Sequence, residues 1–256
     1  MARHRDNIVA VKEMSDSLTS TGQMIRFVAE MELMANLQHP NILRFEGIIC
    51  CFPKLCMVLE YAKAGNLRDY MTHSPFIDWR NKKYTFAHGI ASAMNYLHTR
   101  SAPVLHRDLK TMNVLVTEWG VIKLSDFGES KILTARETGA EAAESISQGR
   151  KARSNNKKAN ILTANLVGTT MFMAPEVFKG EKYTKECDVF SYGCILADIA
   201  MAGRLRDLFI PNHGKYDERK MVESIMNGEG ASDIMLRVDI GSEHVILGRV
   251  GQVLRC

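Results

Sequence analysis

The chain has 256 residues, a formal net charge of +4 and 46% hydrophobic residues. This composition is typical of an ordered globular chain that can bury a core, and so mild a charge argues against a polybasic nucleic-acid wrapper or membrane binder. No window approaches the roughly 18 uninterrupted apolar residues of a transmembrane helix, and the polar first residues do not resemble a secretory signal. We therefore expect no membrane span and no nucleic-acid partner.

The six cysteines do not form a Cys-x-x-Cys pair, which argues against the usual zinc and thioredoxin motifs. Most of them lie within apolar runs, where a free thiol packs as a small hydrophobic side chain. Reduced cysteines of this kind predict a cytoplasmic, intracellular location.

The first part of the chain alternates strand and helix patterns. A β-branched run predicts a strand over residues 8–12. Apolar residues at helical spacing predict an amphipathic helix over 24–37. Two further strands are predicted over 43–51 and 55–60, with Pro53 between them.

A second helix and a hairpin follow. Phe86, Ile90, Met94 and Leu97 recur at helical spacing and predict a helix with one buried face. Two short β-branched runs at 113–116 and 121–124 flank a four-residue turn and predict a β-hairpin.

The composition then changes. Residues 134–160 contain almost no large apolar side chains, so we expect a flexible loop. After it, the pattern predicts a helix from a capping Thr184 to about Met201, with Gly203 as its stop. That helix is apolar on nearly every side, which predicts a position inside a domain.

The chemistry-bearing residues fall in two segments. The first is the run from His106 to Asn113, which contains Asp108 and Lys110, and the second is Asp126-Phe127-Gly128. Carboxylate and amide oxygens suit Mg²⁺, and a lysine suits phosphate oxygens. A separate aspartate can accept the proton of an attacking hydroxyl. The set indicates phosphoryl transfer.

These segments resemble the catalytic and metal-binding loops of eukaryotic protein kinases. Further kinase-like motifs follow the family order along the chain: Val9-Ala10-Val11-Lys12, Phe27-Val28-Ala29-Glu30, Leu37-Gln38-His39-Pro40-Asn41-Ile42, Met57-Val58-Leu59-Glu60-Tyr61-Ala62, Gly168 to Glu176, and Asp188 to Gly193. The resemblance covers roughly residues 8 to 203. It is greatest for serine/threonine kinases, within them for the tyrosine-kinase-like group.

The resemblance implies an α+β fold of two lobes. The smaller N-lobe, residues 1–61, would hold a partial β-sheet and the helix that carries Glu30. The larger, mainly helical C-lobe, residues 62–256, would contain a long activation-segment insert over 129–167. ATP and Mg²⁺ would bind in the cleft between the lobes.

The resemblance also implies residue roles. Asp108 would be the catalytic base, Lys110 would contact the γ-phosphate, and Asn113 and Asp126 would bind Mg²⁺. Six residues would contact the nucleotide directly or support that contact: Lys12, Glu30, Leu59, Glu60, Ala62 and Leu115. Lys12 would hold the α- and β-phosphates and pair with Glu30, Leu59 would be the gatekeeper, and the backbone of Glu60 and Ala62 would meet adenine.

The sequence departs from the family pattern at both ends. No glycine-rich loop precedes Lys12, so we expect the strands around that loop to be absent and Lys12 to lie on an exposed sheet edge. The C-terminal helices would be incomplete, leaving Glu176 without its usual arginine. These departures keep two alternatives open: a catalytically weak interaction module with a kinase fold, or a fragment that does not fold alone.

The activation-segment insert suggests regulation. In the family, the arginine at the position of Arg107 commonly receives a phosphorylated residue, and a phosphate there would pair with it and order the loop. Thr163 is the first candidate acceptor, followed by Ser154 and Thr170. The partners implied are a protein substrate and an upstream kinase that acts on this segment.

Overall fold

The computed structural model describes residues 2–4, 7–14, 21–51, 54–74, 78, 82–133, 170–205 and 207. The N-lobe contains one helix and a four-stranded antiparallel sheet of order β1-β2-β4-β3. Its elements are β1 (Ala2–His4), β2 (Asn7–Glu13), α1 (Thr21–Ala35), β3 (Phe45–Cys51) and β4 (Lys54–Glu60).

Strand β1 corrects one expectation from the sequence. The three residues Ala2–His4 pair with Val9, Ile8 and Asn7, so a strand does precede the lysine strand and covers its first half. Lys12 itself lies beyond the reach of β1, and its register partner in the described sheet is Met57 on β4. Three residues carry too little β-branched pattern to be recognised as a strand from sequence.

Helix α1 packs its apolar face toward the core. Phe27, Met31 and Met34 are buried at the i, i+4 and i+7 spacing that places side chains on one side of a helix, and Leu33 is buried beside them. Glu30 is also buried on this helix, with 7% of its surface exposed. The helix therefore presents one carboxylate to the interior of the protein.

The C-lobe is built mainly from helices. The described helices are α2 (Leu67–His73), α3 (Tyr84–His98), α4 (Pro175–Lys179) and α5 (Glu186–Ala200). Two small antiparallel pairs complete it: β6 (Val114–Val116) with β7 (Ile122–Leu124), and β5 (Val104–Leu105) with β8 (Lys131–Ile132). The predicted α+β, two-lobed architecture is confirmed, whereas the exact boundary at residues 61 and 62 stays a prediction.

Helix α5 lies inside the C-lobe, as its apolar sequence predicts. Ten of its fifteen residues are buried, among them Ile195, Ile199 and the acidic pair Asp188 and Asp198. It begins at Glu186 rather than at Thr184, and the preceding Lys185 makes no side-chain capping bond. Burial of two carboxylates on one helix is costly unless each is hydrogen-bonded.

A loop of the N-lobe is joined to the C-lobe hairpin by three hydrogen bonds, and we call this contact the interlobe seam. Leu124 donates its N–H to the carbonyl of Asn41 at 2.8 Å, and Leu43 donates to the carbonyl of Leu124 at 2.9 Å. The Asn41 side chain adds a bond from Nδ2 to the Ile122 carbonyl at 3.2 Å. The loop that follows α1 thus continues the backbone pairing of β7.

Several predictions fall on residues outside the described part of the chain. They are the flexible loop over 134–160, the phosphorylation candidates Thr163 and Ser154, and the incomplete C-terminal helices. Thr170 is described, and it is 1% exposed in a short 3₁₀ turn.

A substitution at Gly89 tests how closely α3 packs against the interlobe seam. A Cβ at Gly89 would lie 2.8 Å from Ile122 Cγ1 and 2.9 Å from Asn41 Nδ2. Alanine normally stabilises a helix by about 1 kcal/mol relative to glycine, but overpacking costs about 1–3 kcal/mol. We expect Gly89→Ala to lower the free energy of unfolding by about 1 kcal/mol net, measured by urea denaturation.

The matched control is Asn95→Ala on the exposed face of the same helix, which should change stability by less than about 0.5 kcal/mol. A more stable Gly89→Ala variant would contradict the close packing.

Candidate active site

Three charged side chains meet where the sheet, α1 and the C-lobe hairpin converge. Lys12 on β2 lies with its Nζ 2.6 Å from Glu30 Oε1 and 2.9 Å from Oε2. The same Nζ lies 3.1 Å from Asp126 Oδ1, just beyond β7. Lys12 and Asp126 are therefore in direct contact although they are 114 positions apart in the sequence.

The surroundings of Lys12 keep it charged. Burial by itself lowers the pKa of this ammonium, but the hydrogen bond to Glu30 and the charges of Asp126 and Glu30 outweigh burial and raise it. A Cβ at Gly128 would lie 3.4 Å from Glu30 Oε2, in ordinary van der Waals contact, so this loop passes close to the ion pair.

A second cluster of polar and charged side chains lies on the catalytic loop, residues 106–113. Lys110 Nζ lies 2.8 Å from Asp108 Oδ2. Asn113 Nδ2 donates to the carbonyl of Asp108 at 2.8 Å and to its Oδ2 at 2.9 Å. The carboxylate of Asp108 is thus held by the two side chains that the sequence places after it.

The backbone of the catalytic loop is anchored by Asp188 of α5. Its Oδ2 accepts the N–H of His106 at 2.9 Å and its Oδ1 accepts the N–H of Arg107 at 2.8 Å. His98 Nε2 lies 2.8 Å from the same carboxylate. Arg107 has φ of 65°, a conformation that residues with a side chain adopt only when their surroundings impose it. Asp188 supplies that constraint.

Burial by itself raises the pKa of Asp188, but the hydrogen bond from His98, the electrostatic interaction with His106 and the two backbone N–H groups together hold it below its ordinary value. The carboxylate is therefore charged in the folded protein and accepts from several donors at once.

His106 connects the two loops from inside the core. Its side chain is fully buried and lies against Phe127, with ring centroids 4.9 Å apart. Nε2 lies 3.1 Å from the Ser125 carbonyl, and Ser125 in turn donates its N–H and its hydroxyl to the carbonyl of Asn113. The segment before Asp126 is thereby tied to the catalytic loop, which supports a structural role for His106.

Asp126 itself adopts φ of 60°. Its carboxylate is about half exposed, whereas Asp108 keeps only 15% of its side chain exposed. The half-exposed carboxylate lies beside Lys12 and is accessible from solvent to a cation.

The residues predicted to contact adenine lie at the junction of the lobes. Leu59 and Ala62 are buried, Leu115 is half-buried on β6, and Leu59 pairs in register with Ala10. The side chain of Glu60 is held by Lys123 Nζ at 3.0 Å and by the Arg44 N–H at 3.2 Å. Its backbone N–H is engaged as well, because it donates to the carbonyl of Arg44 at 2.9 Å.

Asn113 and Asp126 form an oxygen donor set that fits Mg²⁺. The amide of Asn113 directs its nitrogen to two oxygens of Asp108, so within the described residues its Oδ1 is the atom left to serve as a ligand. Mg²⁺ usually takes one or two protein oxygens and completes its shell with water and phosphate. The described residues contain no group of three or more His, Cys, Asp or Glu side chains that could hold a metal alone.

Three sets of contacts around the site are not indicated by any sequence pattern. Asp188 marks a helix start in the motif, but nothing in the motif indicates that its carboxylate caps two backbone groups 81 and 82 residues away. The Lys123–Glu60 ion pair and the contact of Arg107 Nη1 with the Tyr183 hydroxyl at 2.9 Å were also missed. These contacts join distant segments, so only the tertiary fold reveals them.

Comparison with known proteins identifies the family to which this fold belongs. The family profile described as protein kinase domain matches residues 1–230. The chain belongs to the protein kinase domain family.

Relatives at about one-third identity are serine/threonine kinases. The chain is 32% identical over 195 residues to the serine/threonine-protein kinase CTR1 of Arabidopsis thaliana, and 33% over 176 residues to mitogen-activated protein kinase kinase kinase 13-A of Xenopus laevis. A putative serine/threonine-protein kinase/receptor of Acanthamoeba polyphaga mimivirus is 32% identical over 191 residues. These matches cover 75%, 66% and 75% of the chain, but only 21%, 15% and 10% of the relatives. The predicted resemblance to serine/threonine kinases, and within them to the tyrosine-kinase-like group, is confirmed.

Among the described residues, no helix combines the length and the apolar character needed to cross a membrane.

The buried His106 predicts a pH dependence of stability. Burial is the largest influence on its pKa and lowers it below 6.5, against smaller opposing effects of Asp188, Asp108, Asp126 and the Ser125 carbonyl. The His106 imidazole therefore binds a proton near pH 6.5 in the unfolded chain, whereas in the folded chain it stays neutral to lower pH. We expect stability to fall as the pH drops below about 6.5, with this group contributing at most about 1.4 kcal/mol per pH unit.

Urea denaturation at pH 7.5 and 5.5 measures this effect. His106→Gln should reduce the difference between the two pH values, while His88→Gln on the exposed face of α3 should preserve it. An unchanged difference in His106→Gln would show that another group is responsible.

Proposed function

We propose that this chain catalyses Mg²⁺-dependent transfer of the γ-phosphoryl group of ATP to a serine or threonine hydroxyl of a protein substrate. The observation that carries the proposal is a pair of charged clusters on two adjoining loops, which are tied together by the bonds from Ser125 to the Asn113 carbonyl. Lys12 lies within 3.1 Å of carboxylate oxygens of both Glu30 and Asp126, and Asp108 lies within 2.9 Å of Lys110 and Asn113.

Each side chain has a task in this reaction. Lys12, oriented by Glu30, would bind the α- and β-phosphates, and the backbone of Glu60 and Ala62 would bind adenine between Leu59 and Leu115. Asn113 and Asp126 would hold Mg²⁺, which supplies positive charge to the phosphate oxygens when bound.

Asp108 and Lys110 would act at the transferred group. Asp108 accepts the proton of the substrate hydroxyl as its oxygen bonds to the γ-phosphorus, and the bond to the β-phosphate oxygen breaks to release ADP. Lys110, now 2.8 Å from Asp108, would place its charge beside the γ-phosphoryl oxygens. Asp108 and Lys110 lie two residues apart on one loop, so both side chains can act at the same transferred group.

The wider assignment rests on the same proposal. We place the protein inside the cell, with a protein substrate and an upstream kinase that phosphorylates Thr163. This residue lies outside the described part of the chain, so the regulation is an inference from sequence.

Asp108→Asn tests the chemistry. An amide has nearly the same shape but is a far poorer proton acceptor, so we expect phosphotransfer to a serine/threonine peptide library to fall by at least about 100-fold. The unfolding transition should remain cooperative. The matched control is Asp69→Asn in the first turn of α2, which should retain the parent rate. Full turnover by Asp108→Asn would overturn the proposal.

A thermal melt with Mg·ATP tests nucleotide binding separately. A ligand that binds only the folded state at 100 times its Kd adds about 2.7 kcal/mol of stability. We expect a rise in melting temperature that requires Mg²⁺ and disappears in Asp126→Asn. A melt that ignores nucleotide, together with no phosphotransfer, would favour the interaction-module alternative, and no cooperative melt would favour the non-autonomous fragment.

A further inference from the structure

A second buried carboxylate of α5, that of Asp198, contacts the catalytic loop, residues 106–113. None of the roles proposed above explains this contact. Asp198 is 1% exposed, and its Oδ2 accepts the hydroxyl of Thr111 at 2.7 Å. Thr111 is fully buried and follows Lys110 directly. The two partners are 87 residues apart in sequence, so the bond joins the catalytic loop to the far end of the central helix.

The other oxygen of Asp198 is also engaged. Oδ1 accepts the N–H of Leu205 at 3.0 Å, and the backbone carbonyl of Asp198 accepts the N–H of Gly203 at 2.8 Å. Ala202 and Gly203 both adopt left-handed conformations, with φ of 53° and 81°, which turn the chain back onto the helix end. Asp198 thus links three segments through one residue.

This carboxyl group is expensive to bury. Burial raises its pKa, and the bonds from Thr111 and Leu205 and the charge of Arg68 offset that effect only in part, with Asp207 acting in the opposite direction. An apolar side chain would fill the space at lower cost. What an apolar side chain lacks is an acceptor for the Thr111 hydroxyl.

The turn that Thr111 begins carries the functional side chains. Residues Thr111–Asn113 form a single 3₁₀ turn, closed by the bond from the Asn113 N–H to the Lys110 carbonyl at 2.9 Å. So short a turn has little stability of its own and takes its orientation from its contacts. Lys110 precedes it and Asn113 ends it, so a rotation of the turn would move both side chains.

We propose that Thr111 and Asp198 form a positioning pair that fixes the orientation of Lys110 and Asn113. This inference rests on the proposed phosphotransferase function and deepens it. Thr111 acts through its neighbours, and the hydroxyl-to-carboxylate bond transmits the rigidity of α5 to the loop.

The test compares Thr111→Val, which removes the hydroxyl at nearly constant volume, with Thr111→Ser, which retains it. Misplacement by about 1 Å can cost about 100-fold in rate, so we expect Thr111→Val to lower kcat by at least about tenfold. The KM for ATP should change by less than about threefold, and the free Mg²⁺ needed for half-maximal rate should rise, because Asn113 is displaced. Thr111→Ser should recover most of the parent rate.

The matched control is Thr117→Val in the turn between β6 and β7. Thr117 is 9% exposed, and its hydroxyl oxygen accepts the Val121 N–H at 3.1 Å, so the substitution also removes a shielded hydroxyl from the same lobe. It should lower the melting temperature while leaving kcat and the Mg²⁺ dependence unchanged. If Thr111→Val behaves like Thr117→Val, the bond is merely structural and the positioning proposal is wrong.

A measurement without turnover separates this proposal from the proposed function. Mn²⁺ affinity, followed by electron paramagnetic resonance with a non-hydrolysable ATP analogue, should weaken by at least about threefold in Thr111→Val and recover in Thr111→Ser. If Mn²⁺ affinity follows this pattern across the variants but the parent protein transfers no phosphoryl group, the proposed function is overturned and the positioning pair is retained. Unchanged Mn²⁺ affinity would overturn the pair. If Thr111→Val does not fold, Asp198→Ala, which removes the acceptor for the same hydroxyl, replaces it with the same expected losses.

Discussion

The carboxylate of Asp188 is the interaction on which the rest of the site depends. It lies on the most buried of the helices described in the C-lobe and accepts the N–H groups of two consecutive residues, His106 and Arg107. That double contact holds Arg107 in a left-handed conformation and sets the direction in which the following residues leave the core. The placement of Asp108 is therefore decided by a residue 80 positions later in the chain.

Much of this arrangement could be predicted from the sequence because local pattern and motif agree. The strand that carries Lys12, the helix that carries Glu30 and the hairpin before Asp126 each follow from periodicity, and the observed elements differ from the predictions by only a few residues at their ends. The motifs then bring these elements to one cleft. Boundaries shift because the end of a helix depends on capping contacts that periodicity does not record.

The structural features that could not be predicted from the sequence depend on contacts between distant segments. Strand β1 is only three residues long and exists through its pairing with β2. The two-residue strands β5 and β8 likewise form only against each other, and nothing in either sequence marks them. The buried Asp198 looks from sequence like an ordinary polar position on a helix, and its role depends on a loop that the helix reaches only in the folded state.

The interlobe seam joins the two lobes through backbone hydrogen bonds, and the ion pairs Lys12–Asp126 and Lys123–Glu60 cross between the same lobes. Asp126 lies only two residues beyond Leu124, which belongs to the seam. A relative rotation of the lobes about the seam would therefore displace the backbone of Asp126 less than it displaces residues farther from the seam.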